Sequence, residues 1–170
     1  MKYEIENRVS KSPLKTIDIE DFIVNSKIEI FDIKNWLKDE FILIEKDFRK
    51  KVISFDWSIY KKVFVSIQCT NNAIVPHWAF LLISSELKKL NIKNFIGSIS
   101  DFENHLINEA INLMDLSAYH NKSVIIKGCS NKVFKESFYS ILIDKLQPVV
   151  KSIMFGEACS SVPIYKKRND

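Results

Sequence analysis

The run Val124 to Ser130, Val-Ile-Ile-Lys-Gly-Cys-Ser, constrains the fold more than any other stretch of the chain. A short apolar, β-branched run that stops at a glycine and hands on to a cysteine reads as a buried strand delivering a thiol to the carboxyl edge of a sheet. The arrangement occurs twice. Residues 56–70 run Asp-Trp-Ser-Ile-Tyr, two lysines, the apolar stretch Val63 to Ile67, and Gln68-Cys69-Thr70; residues 115–130 run Asp-Leu-Ser-Ala-Tyr, a polar gap, Val124 to Ile126, and Gly128-Cys129-Ser130. Asn71 and Asn131 follow. At an offset of sixty, Trp78 matches Phe138 and Leu82-Ile83 matches Leu142-Ile143, while Gly97 and Gly156 correspond at fifty-nine. This spacing describes two β-α-β units, and it admits two origins: an internal duplication, or convergence on a common supersecondary pattern.

From Lys61 onward apolar runs alternate with helical periods, which is the signature of a parallel sheet. The spacing predicts strands at Val63 to Ile67, Asn94 to Ser98, Val124 to Lys127 and within Val149 to Phe155. Helices are predicted over Trp78 to Leu90 after Pro76, and along the stripe Phe102, Leu106, Ala110 or Ile111, and Met114 with Ser100 and Glu103 as its capping box. A further helix carries Phe134, Phe138, Leu142 and Leu146, and Pro148 ends it. Residues 14–33 alternate at period two, through Leu14, Ile17 and Ile19 and then Ile28, Ile30 and Ile33, which predicts two half-exposed antiparallel strands. Asp32 would cap a short helix through Trp36 and Leu37, and Phe48 and Val52 place another after the run Phe41 to Ile44.

The expected class is therefore α/β: a short parallel sheet of two β-α-β repeats with helices on its faces, plus an N-terminal antiparallel strand layer. At 170 residues one domain is expected over 1–170, since a chain of this length buries most of its apolar surface in a single core. Within it the N-terminal layer takes 1–55, the duplicated core 56–165 and a tail 166–170.

Net charge is only +4, from 25 basic and 21 acidic residues, so no nucleic-acid partner is expected. The basic residues are dispersed except at Lys46 to Lys51 and Lys166 to Arg168, read as a solvated helix face and a tail. The opening Met1-Lys2-Tyr3-Glu4-Ile5-Glu6 lacks the apolar core of a signal peptide. The longest apolar stretch, Trp78 to Ile83, is too short for a bilayer. No membrane association and a cytoplasmic location are expected. Three cysteines cannot all close into disulfides, which fits a reducing compartment.

Cys69, Cys129 and Cys159 each follow a strand-like run, and they form the candidate site. In a doubly wound order 2-1-3-4 the first and third strands are neighbours and the crossovers reverse between them. Cys69 and Cys129 would then share one crevice, with Cys159 reaching in from the side. Gly128 and Gly156, two of only three glycines, adjoin the thiols where backbone must turn or pass close to a ligand. Three readings of the thiols stay open. They are small buried hydrophobes; they are ligands of zinc or an iron–sulfur cluster; or one is a nucleophile whose thiolate is favoured by the dipole of the following helix. Separations of 60 and 30 residues, with no Cys-x-x-Cys, match no compact metal motif. Tyrosine-phosphatase chemistry is disfavoured, because Val75 and Lys135 stand where an arginine is needed. His77 reads as a fourth ligand, a base or an ordinary exposed residue, and Glu157 as an oxygen ligand or a solvated carboxylate. His105 and His120 receive no role. Gly-x-Gly-x-x-Gly, Walker, Gly-x-Ser-x-Gly and His-Glu-x-x-His motifs are absent.

Several longer strings are distinctive: Phe31 to Leu37, Glu45 to Arg49, Ala73 to Pro76, Val124 to Ser130, Lys145 to Ser152 and Phe155 to Lys166. In this order they resemble the bacterial family called domain of unknown function 2480, across nearly the entire chain. The resemblance implies an intracellular protein without an assigned activity and a link to iron–sulfur cluster assembly, whose proteins become the expected partners. It also implies a smaller residue where His77 stands, which argues against His77 as a shared ligand. The reading reached is a metal-binding accessory protein using Cys69, Cys129 and Cys159 for zinc or an iron–sulfur cluster. Two alternatives stay beside it: a cysteine-dependent enzyme with Cys129 or Cys69 as nucleophile or persulfide carrier, and an interaction module.

Overall fold

Each of the two repeated strands sits inside its own parallel sheet in the computed structural model, which describes residues 14–127, 135–157 and 160–168. In chain order the elements are β1 (Lys15–Ile17), β2 (Ile28–Asp32), α1 (Glu45–Ser54), β3 (Phe64–Gln68), α2 (His77–Lys89), β4 (Asn94–Ile96), α3 (Ile99–Leu113), β5 (Ser123–Ile126), α4 (Ser137–Leu146), β6 (Ser152–Glu157) and β7 (Ser160–Lys166). Contacts group these into two compact units. The central unit is Val24–His105; the terminal unit takes the chain up to Ile23 and again from Leu106. No helix among the described residues is long and apolar enough to cross a membrane.

In the central unit β3 lies between β2 and β4, all parallel, with Asp32 opposite Gln68 and Ile67 opposite Ile96. Val65 and Ile67 are fully buried, and Ala79, Ile83 and Leu87 of α2, spaced at i, i+4 and i+8, close over them with Phe48 and Val52 of α1. That spacing keeps one helical stripe on the sheet, with Trp78, Phe80 and Leu82 packed beside it and Leu81 exposed. All three tryptophans join this core: Trp36 lies 5.8 Å from Trp57, and Phe48 bridges Trp36 and Trp78 at 5.6 and 5.7 Å between ring centroids. The Trp57 indole N–H, which would be orphaned in such a core, donates to the Val52 carbonyl at 3.0 Å.

The terminal unit repeats this plan and adds a strand. Its order is β1-β5-β6-β7, the first three parallel and β7 antiparallel to β6. Val124, Ile126 and Ile153 face Phe138, Leu142 and Leu146 of α4, all buried. The likeness reaches into the turns. β1 and β2 each run into a short 3-10 turn capped by an aspartate: Asp18 accepts from the Glu20 amide at 3.0 Å and Asp32 from the Lys34 amide at 3.1 Å. The central strands β3 and β5 are each preceded by another such turn, in which Asp56 accepts from the Ser58 amide and Asp115 from the Ser117 amide. Each of these turns closes through its tyrosine carbonyl, Tyr60 to the Val63 amide and Tyr119 to the Lys122 amide. The repeated Asp-x-Ser-x-Tyr strings are thus the sequence trace of one local structure formed twice.

The α/β class and the two β-α-β repeats are as expected, and three details differ. The repeats do not share a sheet: β3 pairs with β2 and β4, and β5 with β1 and β6. The N-terminal strands form no antiparallel layer, since β1 lies parallel to β5 and β2 parallel to β3. Both differences have one cause. Period-two alternation marks a strand as half-exposed but carries no information on its direction, and β1 and β2 occupy the flank of each central strand where the other was expected. The third concerns α3, which is capped by Ser98 rather than Ser100. The Ser98 hydroxyl receives the Asp101 amide at 3.1 Å and donates to the Asp101 carboxylate at 2.6 Å.

Candidate functional site

The carboxyl edge of the central sheet is where its loops gather, and Cys69 is the first residue beyond β3. Its thiol is half-buried, packs against the central core and donates to Asn71 Oδ1 at 3.0 Å. Asn71 acts as a hub. Its Oδ1 also accepts from the Ala73 amide at 3.2 Å, and its Nδ2 donates to the Glu40 carbonyl, so one carboxamide fixes both the post-strand loop and a neighbouring turn. Thr70 points its amide and hydroxyl at Asp32, the last residue of β2.

Asp32 is the most heavily engaged carboxylate of this edge, with its side chain 11% exposed and the Lys34 ammonium 3.9 Å away. Burial pushes its pKa up, but the hydroxyl of Thr70, the amides of Lys34 and Thr70 and the charge of Lys34 outweigh burial, so the carboxyl is held below its ordinary value. In the terminal unit Asp18 takes the corresponding position after β1 and pairs with Lys127 at 3.4 Å.

Of the three candidate thiols, only Cys69 falls within the described residues; Cys129 and Cys159 lie outside them. β3 and β5, expected as neighbours in one sheet with Cys69 and Cys129 beyond them, belong to different sheets. Among the described residues no three His, Cys, Asp or Glu side chains come together as metal ligands. His77 is the exposed first residue of α2. The Cys69 thiol is directed to the Asn71 carboxamide rather than to free amides of α2, which begins eight residues later; the helix dipole acts only within its first turn.

The terminal sheet treats its two cysteine-bearing segments differently. β5 and β6 are adjacent, parallel and in register up to the pair Ile126 and Phe155. Cys129 follows β5 by three positions in sequence, and Cys159 follows Glu157, the last residue of β6, by two. Gly156 holds φ at +120°, and a Cβ there would lie 2.6 Å from the Ser160 carbonyl oxygen, so β6 can meet β7 here only with glycine. Gly156 stands out in the sequence as one of only three glycines. Thr70 as a partner of Asp32 and Asn71 as the hub left one trace in the sequence, the recurrence of Cys-Thr-Asn as Cys-Ser-Asn sixty residues later.

These features define an α/β protein of two similar parallel-sheet units with a cysteine after the central strand of each. The chain belongs to the family described as protein of unknown function (DUF2480), which matches residues 3–167. No curated protein and no solved structure matches it.

Proposed function

We propose that this is a metal-binding accessory protein whose thiolate ligands are Cys129 and Cys159, with Glu157 as an oxygen donor beside them. The observation that carries the reading is the register of β5 and β6. Adjacent parallel strands lie about 4.8 Å apart, and these two stay in register to Ile126 and Phe155, within four residues of both thiols. Two thiolates and a carboxylate suit zinc, and a cysteine pair is also half of the ligand set of an iron–sulfur cluster. Such a group would add electrostatic order to that edge of the sheet, while Gly156 lets the backbone turn there. Cys69 lies outside this proposal, since its thiol already has a partner in Asn71. Free thiols call for a reducing, cytoplasmic setting, and iron–sulfur assembly proteins are the partner class this reading calls for.

The test is metal content and visible absorption of the full chain purified without oxygen. Stoichiometric metal is expected, colourless for zinc and brown for a cluster, lost in Cys129→Ser and in Cys159→Ser and retained in Cys69→Ser. A chain that stays metal-free after reconstitution with zinc, and with ferrous iron and sulfide, overturns the proposal. Selective alkylation of a single thiol near neutral pH in that metal-free chain would assign the nucleophile or persulfide-carrier role instead.

A further inference from the structure

The basic run Lys166 to Arg168, expected as a tail, is built onto the terminal sheet. Lys166 is the last residue of β7, and the Lys167 amide donates to the Lys151 carbonyl at 2.9 Å, one step beyond the pair Ser152 and Lys166. Lys151 gives its own amide to the Lys122 carbonyl at 2.8 Å, one step before the pair Ser123 and Ser152. Three lysines from three adjacent strands are thus joined backbone to backbone across one end of the sheet. With strands about 4.8 Å apart the row spans about 10 Å, within reach of a single ligand for side chains as long as these. It lies at the amino ends of β5 and β6, whereas Cys129 and Cys159 follow their carboxyl ends.

The charge here is one-sided. Lys122, Lys151, Lys166, Lys167 and Arg168 are all exposed, and no ion pair among the described residues engages any of them. The stretches that carry them, residues 117–124, 149–154 and 164–168, contain no aspartate or glutamate. The segments leading into β5 and β6 each bring one carboxylate. Asp115 is taken up by the amide and hydroxyl of Ser117, at 2.9 and 2.8 Å, and Asp144 of α4 lines a depression beside Tyr165. Setting the five cations aside leaves 20 of the chain's 25 basic residues against 21 acidic ones, so its net positive charge is accounted for at this end. Nor does the end of α4 consume it. The Leu146 carbonyl accepts the Val149 and Val150 amides and the Ile143 carbonyl accepts that of Gln147, so backbone donors close the last turn. Like charges side by side on neighbouring strands destabilise a sheet, and an anion bound across them removes that cost.

We propose that this row binds a chain of linked phosphate groups, either a free oligophosphate or the phosphate tail of a nucleotide. Lysine selects that class of anion. An ammonium is a compact point charge whose three donors rotate to suit the many oxygens of a phosphate chain, whereas the paired oxygens of a carboxylate are met best by the planar fork of arginine. Four of these five cations are lysines. A linked chain meets the ammonium groups of all three strands at once, which a single phosphate does not. The inference is independent of the thiols.

The test titrates sodium tripolyphosphate into the full chain by calorimetry, at low ionic strength and without divalent cations. Binding should weaken by about tenfold or more in the Lys122→Gln, Lys151→Gln, Lys167→Gln variant, and it should weaken as sodium chloride rises. The Lys46→Gln, Lys50→Gln, Lys62→Gln variant removes the same charge at exposed positions of the central unit. It should bind within about twofold of wild type, with circular dichroism confirming that both variants fold. Orthophosphate should bind about tenfold more weakly than tripolyphosphate, or worse. Equal affinity for ATP supports the free chain as ligand, and tighter binding of ATP supports the nucleotide. Absence of binding to wild type, an equal loss in both variants, or orthophosphate bound as well as tripolyphosphate overturns the proposal. Binding of a uridine oligonucleotide that depends on the row, with no tripolyphosphate bound, overturns it in favour of single-stranded nucleic acid.

Discussion

Asp32 joins three pieces of backbone at once: the end of β2, the 3-10 turn that it caps and the loop after β3. Its removal strands the Thr70 amide and hydroxyl and the Lys34 amide, so Asp32→Ala is expected to destabilise the central unit by about 1–3 kcal/mol in denaturant unfolding. The pH dependence has a definite sign. The folded carboxyl titrates below the unfolded one, so its stabilisation is complete above the ordinary carboxylate range and drains away as the pH falls through the folded value. The stability gap between wild type and Asp32→Asn should therefore narrow as the pH falls through and below the ordinary carboxylate range; an unchanged gap would show that the charge of Asp32 does not contribute. The cap was legible in the sequence because an aspartate before a short apolar turn has one common use. The bond to Thr70 was not, since it exists only once Asp32 is set opposite Gln68 by the pairing of β2 with β3. Cys69 divides in the same way: its place beyond a strand could be read from Val63 to Ile67, whereas its partner depends on how the loop folds back through Asn71.

At the level of elements, α3 and β7 show where local pattern misleads. Two serines stand at the start of α3, and both have an acidic residue three positions on, Ser98 with Asp101 and Ser100 with Glu103. The helix begins at Ile99, so Ser98 is the cap and Ser100 is an exposed residue inside the first turn. Ser98→Ala is expected to cost about 1 kcal/mol and Ser100→Ala less than about 0.5 kcal/mol; thermal unfolding that ranks them the other way contradicts the assignment. β7 escaped sequence reading because Pro163 interrupts it, and proline within an apolar run argues against a strand. An outer edge strand is the exception. Among the described residues β7 pairs only with β6, and a proline there withholds a donor that a second sheet would need, while Lys166 and the residues after it add charge. Val162 and Ile164 are 61% and 54% exposed, so the edge would otherwise invite pairing. Pro163→Thr is expected to raise self-association at high protein concentration in analytical ultracentrifugation, and a chain that stays unchanged would remove the protective role from Pro163.

On the scale of the whole molecule, the chain places one β-α-β repeat with its added first strand within the sequence of another. β1 and its capped turn come first, the central unit follows, and the strands that complete the sheet of β1 return only after Leu106. This nesting explains why the repeat was visible but its consequence was not. Offsets of about sixty residues relate β3 to β5 and α2 to α4, yet they cannot say that each copy recruits its own first strand from residues 15–32. It also yields a clean probe, because Trp36, Trp57 and Trp78 all lie in the central core and the terminal unit holds no tryptophan. Leu142→Ala removes a fully buried side chain of α4 and should cost the terminal unit about 2–5 kcal/mol. In guanidinium unfolding the far-ultraviolet circular dichroism, which sees both units, should shift to lower denaturant more than the tryptophan fluorescence, which sees one. Leu87→Ala, which removes a fully buried α2 side chain of the central core, should do the reverse. Transitions that move together in both variants would mean that α3, which runs through the division at Leu106, couples the two units into a single cooperative structure.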